Sequence, residues 1–250
     1  MNINDLIEND FSGVISIIQS GKSLFQGAYG YADKANEIPN KTDTKFGTAS
    51  AAKVFVATAI LGLIEKKLIS FDSTIGEILK FNLEQIDSGI TVKQLLNHTS
   101  GIPDYFDESV MEDYEELWIN IPNYRIRTSS DLIPLFIDKP MMYPKGERFQ
   151  YNNTGYVVLG LIIEEITGKP FDVYLQETIF RPCGMADTGY YELDRLPAKC
   201  AFSYIYDGER NEYRTNIFSI DAKGSGAGGA FTTAPDVEKF WAALVSGKLI

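Results

Sequence analysis

A chain of 250 residues, 44% hydrophobic and 23% charged, is long enough to bury a large core in one domain or two interleaved lobes. Its net charge of -11 argues against nucleic acid and against anionic membrane surfaces as partners. With only two cysteines, Cys183 and Cys200, and one histidine, it has no convincing zinc set and no disulfide framework, so free thiols and no metal or cofactor are expected.

Residues 1–10 show no basic region followed by an apolar stretch, so no secretion signal is read and a cytoplasmic location is expected. Residues 11–19 and 23–31 read as two strands around a turn at Ser20-Gly21-Lys22, an antiparallel hairpin. From about Ala49 the period becomes helical, and the run Val54 to Ile64 is apolar nearly all round, which predicts a buried helix. That run and Tyr156 to Ile163 are too short to cross a bilayer, so no membrane anchor is expected. Asp72-Ser73-Thr74 reads as a cap before a helix over 75–81, and Thr91-Val92-Lys93-Gln94 as a capping box. Residues 104–124 mix acidic and aromatic side chains, a pattern open to two readings: a solvated surface excursion, or a lid or pocket rim. A second core helix is predicted over 154–167, stopped by Gly168, and an amphipathic third over 171–180. Strands are predicted at 201–206 and 212–220, and a last helix at 237–245 after the cap at Thr233. This order predicts an α/β fold of the α+β type. An antiparallel sheet flanked by helices is built from residues 1–70 and 201–250, with a mostly helical lobe over 71–200 inserted between them.

Two motifs carry chemistry. Ser50-Ala51-Ala52-Lys53 opens the first core helix, and its i, i+3 spacing places a hydroxyl and an amine on one face. A Ser in the first turn meets free N–H groups and the positive dipole end, and a buried Lys loses pKa and becomes a base. A Ser-x-x-Lys arises about once by chance in a chain this long, and its bland reading is a helix cap beside a snorkelling Lys. Tyr151-Asn152-Asn153 opens the second core helix, the only Tyr-x-Asn in the chain. A Lys ammonium nearby would favour the phenolate of Tyr151 for proton shuttling, and Asn153 could bond the Lys or a substrate carbonyl.

With these residues in place the chain resembles the serine hydrolases of the penicillin-binding protein and class C β-lactamase superfamily, including its esterase and D-aminopeptidase branches. The resemblance runs nearly end to end: Gly27-Ala-Tyr-Gly-Tyr-Ala-Asp33, Phe46-Gly-Thr-Ala-Ser50-Ala-Ala-Lys53, Ile90-Thr-Val-Lys-Gln-Leu-Leu-Asn-His-Thr-Ser-Gly-Ile-Pro-Asp104, Tyr151-Asn-Asn-Thr-Gly-Tyr156, Ile179 to Thr188 and Gly228 to Asp236 fall in family order. It implies a β-lactamase/transpeptidase-like fold and a metal-free hydrolase. Ser50 would carry the acyl group, Lys53 and Tyr151 would share base and acid work, and Asn153 would bind the substrate carbonyl or hold Lys53. The Ser50 N–H would be one oxyanion donor. His98, the only histidine, is structural on the same grounds, and a His closing a short helix is explained by the carbonyls there. Ser100 reads as a turn residue, Glu147 and Arg148 as surface charges.

The family's third box, Lys- or His-x-Gly, is not found, and the pattern breaks off at Ile250. The chain is therefore expected to be an N-terminal piece of a longer protein, with its first hairpin short of sheet partners, or else a naturally short member that has lost the third box. The expected activity is on small esters or amides, or a β-lactam-like substrate. The alternatives are a non-catalytic or acyl-trapping penicillin-binding module and a D,D-carboxypeptidase of the cell wall.

Overall fold

The computed structural model describes Ile7 and residues 10–250. Strands β1 (Gly13–Gln19) and β2 (Lys22–Tyr29) form the expected hairpin. Its two-residue turn, Ser20-Gly21, has φ of 50° and 75°, the left-handed pair that matches strand twist. The second predicted strand does not run on to Tyr31. Gly30 turns the chain at φ 67°, and a Cβ there would meet the Ser12 hydroxyl at 2.4 Å. Beyond it, β3 (Tyr31–Asp33) pairs with β4 (Ile38–Pro39), and β5 (Phe46–Gly47) joins a strand near the other end of the chain.

Helix α1 (Lys53–Glu65) buries Phe55, Val56, Ile60 and Leu63. Thr74 and Glu77 complete a reciprocal capping box on α2 (Ile75–Ile78), which is shorter than predicted because Leu79 is already extended, with ψ 138°. Thr91 and Gln94 do the same for α3 (Val92–Leu96). Helix α4 (Asn153–Thr167) is buried from Asn153 through Ile163 and ends at left-handed Gly168. Helix α5 (Phe171–Leu175) continues into a π-helical turn, Gln176–Phe180. Strands β6 (Tyr204–Asp207) and β7 (Glu212–Thr215) pair antiparallel. The predicted strand over 212–220 stops at Thr215 because Ser219 N donates to Asn216 O at 2.8 Å and closes a turn. Strand β8 (Phe231–Thr232) is the partner of β5, and α6 (Ala234–Val245) begins three residues before the prediction. Pro235 fits its first turn, where no intrahelical N–H is needed.

The fold is thus α+β, with antiparallel strand pairs flanked by helices and a mostly helical middle. Among the described residues each pairing is two-stranded, so β1 and β2 pair only with each other. One core runs from α1 through α4 to α6: Phe55 meets Phe180 and Phe240 edge-on at 5.1 and 4.9 Å. Each large side chain buried there contributes about 1.5–3 kcal/mol, which fixes the starts of α1 and α4 beside one another. No helix among the described residues is long and apolar enough to cross a membrane.

Candidate active site

Ser50 lies in a 3-10 turn, Ala49–Ala52, that leads into α1, rather than in the first turn of the α-helix itself. The tighter turn has a cause. Ala49 is held at φ 43°, a region L-residues avoid, because its carbonyl accepts from Gly229 N at 3.1 Å and Thr48 N reaches Ala230 O at 2.8 Å. Gly228 packs directly on this turn; a Cβ there would sit 2.6 Å from Ala49 O and 3.2 Å from Ser50 N. Ser50 itself is exposed.

Lys53 is buried, and its Nζ donates to Ser50 Oγ at 3.0 Å, Asn153 Oδ1 at 2.9 Å and Ala227 O at 2.5 Å. Three acceptors satisfy the three ammonium protons. Burial pushes its pKa down to about 8, against the opposing pull of Asp104 and Glu108. Tyr151 sits beside it, with the Lys53 Nζ 4.9 Å from the ring centre. Burial holds the Tyr151 phenol above its ordinary value, and its hydrogen bond with Ser50 only partly offsets this. The expected phenolate is therefore corrected: burial favours the protonated phenol of Tyr151, while Lys53 is pushed down to about 8.

Asn153 is oriented at both ends. Its Oδ1 accepts from Lys53 while its Nδ2 donates to Phe106 O at 3.0 Å. The start of α4 is tied down by Asp104, which accepts from Asn153 N at 2.8 Å, Thr154 N at 3.0 Å and Thr154 Oγ1 at 3.2 Å. His98 lies at left-handed φ 58° after α3, with its ring 4.8 Å from Tyr151 and 5.1 Å from Tyr156. Its Nδ1 accepts from Asn152 N at 3.1 Å, and burial followed by the Lys53 charge pushes its pKa down. It is a neutral wedge behind Tyr151, with its acceptor nitrogen turned to the backbone. Ser100 is buried in the turn expected of it, its Oγ accepting from Ile102 N. Arg148 is exposed over the Tyr143 ring.

Ser50 and Asn153 open onto a cavity of about 320 Å³. Tyr105, Phe106, Glu108 and Tyr114 form one side of it, so the acidic-aromatic segment is a pocket rim. The sequence did not single out Ala227, Gly228, Asp104 as a helix anchor, or Asp221. The glycine-dense stretch 223–229 was the one available signal for the first two.

A family model described as Beta-lactamase matches residues 4–250. The chain belongs to the beta-lactamase family. Penicillin-binding protein 4* of Bacillus subtilis (strain 168) is 29% identical over 82% of this chain and 44% of its own length. The chain spans about half the length of the curated relatives it matches. Among solved structures, a penicillin binding protein from Bacillus halodurans is 39% identical with a TM-score of 0.91, covering 96% of this chain and 72% of that one. A D-amino acid amidase from Ochrobactrum anthropi SV3, complexed with L-phenylalanine, is 27% identical with a TM-score of 0.78, covering 95% and 65%. Beta-lactamase membership thus rests on nearly the whole described chain.

Proposed function

We propose that this chain carries the nucleophile-bearing part of a serine hydrolase that works through an acyl-enzyme on small esters or amides. The observation that carries the reading is the buried Lys53 amine 3.0 Å from the Ser50 hydroxyl. Ser50 Oγ attacks the acyl carbonyl, and its proton passes to the neutral form of Lys53. The Ser50 N–H, free of an intrahelical partner at the start of its turn, donates to the oxygen as it becomes an anion. The proton then returns through Tyr151 to the departing alcohol or amine, leaving the acyl group on Ser50. Water attacks the acyl carbonyl in turn and frees the acid. Asn153 holds Lys53 toward Ser50 throughout. A largely apolar cavity of about 320 Å³ supports a compact acyl or leaving group, and the amidase relative supports an amide as readily as an ester.

Intact-mass spectrometry after exposure to p-nitrophenyl butyrate tests this. One butyryl adduct is expected on the wild-type chain and none on Ser50→Ala. An adduct that persists in Ser50→Ala, or none on a folded wild-type chain, overturns the reading, while a stable adduct that never decays identifies an acyl trap.

A further inference from the structure

The cavity beside Ser50 has an uneven charge. Its lining carries two acidic residues, Glu108 and Asp221, and among the described residues no Lys, Arg or His lines it. The remaining wall is largely apolar, with Tyr105, Phe106, Leu193, Phe202 and Ile217 among its members. Asp221 stands out here. It is half-buried and lines the cavity, and Tyr114 donates to its Oδ1 at 3.0 Å, with Tyr105 3.1 Å behind Tyr114. No described cation offsets its charge. Lys223, two residues on, pairs with Asp172 at 2.6 Å, and Arg214 pairs with Glu115 at 2.6 Å. The Tyr114 hydroxyl and Asp221's own backbone N–H bond this carboxyl, and a carboxylate in such apolar surroundings is costly unless it takes up a proton or a cation comes to it.

We propose that Asp221 is a specificity-determining residue of the cavity, accepting the ammonium group of an amine-bearing apolar ester or amide and turning away a carboxylate. The ester or amide part of that substrate class rests on the acyl-enzyme reading above; the preference for an ammonium rests on the cavity alone. Burial holds the Asp221 carboxyl at about 7, and an ammonium beside it would favour the ionised form.

Calorimetric titration with 3-phenylpropylamine, 3-phenylpropan-1-ol and 3-phenylpropanoate, matched in shape and different in charge, tests this. On the wild-type chain at pH 8 the amine is expected to bind about tenfold tighter than the alcohol, and the carboxylate more weakly than either. Asp221→Asn keeps an oxygen for Tyr114 and is expected to bring the amine down to the alcohol. Glu108→Gln, at an exposed position, is expected to keep most of the advantage, and this variant decides the matter if Asp221→Asn fails to fold. No advantage for the amine in wild type, an advantage that survives Asp221→Asn, or its loss in Glu108→Gln overturns the inference. A chain that prefers the amine but forms no Ser50 adduct refutes the hydrolase reading alone. A chain acylated by neutral esters with no amine preference refutes this inference alone.

Discussion

Lys53 can serve as a base only after it gives up one of three good hydrogen bonds, and its charge state sets when that happens. With the amine pushed down to about 8, its neutral fraction grows through the mildly alkaline range. Acylation by an ester is therefore expected to rise with pH with a midpoint near 8, read as kcat/KM between pH 6 and 10. Glu108 raises the Lys53 pKa, so Glu108→Gln should move that midpoint down; a flat profile would remove Lys53 from the role of base. His98 makes the opposite kind of prediction. Its pKa is depressed in the folded chain, so the stability it gives is present above its ordinary value of 6.5 and is lost as pH falls below that, when the unfolded chain takes up the proton. His98→Ala should cost about 1–2 kcal/mol in chemical denaturation at pH 8, through lost ring contacts and the orphaned Asn152 N–H. Acylation of Ser50 by p-nitrophenyl butyrate should survive in the folded variant. The meeting of Ser50 with Lys53 was legible because their i, i+3 spacing at a helix opening puts both side chains on one face. The charge of Tyr151 was not, since it depends on how deeply other segments bury the ring.

Helix starts decide how the site is held. The first turn of α4 receives Asn152 Oδ1 on Gly155 N at 2.8 Å and the Asp104 carboxylate on two further N–H groups. Since that turn carries Asn153, and Asn153 accepts from Lys53, the cap is part of how the Lys53 amine is aimed. Asp104→Ala should cost about 2–3 kcal/mol of stability, measured by urea denaturation, because it strands buried donors. It should also lower the acylation rate in whatever fraction remains folded. Caps of this kind were readable along the chain, as Thr74, Thr91 and Thr233 show, because each joins a side chain to a backbone N–H within the next three residues; Gly168 was readable as the left-handed residue that ends α4. The 3-10 turn at Ser50 was not readable, because residues 228–230 impose it from the other end of the sequence.

At the scale of the molecule, two segments close one cavity. Tyr114 reaches Asp221, and Glu115 reaches Arg214 and Ser219, so residues 105–115 are fastened to 214–221. Asp221 weakens the fold in return. Its folded pKa of about 7, against 3.8 ordinarily, means the native chain keeps a proton that the unfolded chain has released. Stability should therefore fall as pH rises between those values. Asp221→Asn should raise the melting temperature over wild type by more at pH 8 than at pH 5; an equal gain at both would mean the carboxyl is ordinary. The α+β plan was legible from the order of strand and helix patterns, whereas the division of its strands into separate pairs was set by turns such as Gly30 and by contacts across the whole length. The Ala227 carbonyl that completes the Lys53 site lies 174 residues downstream of that lysine. During synthesis, then, Ser50 and Lys53 leave the ribosome long before the segment that arms them. Labelling of Ser50 by a fluorescent ester is therefore expected only once residues 227–229 have folded back onto its turn.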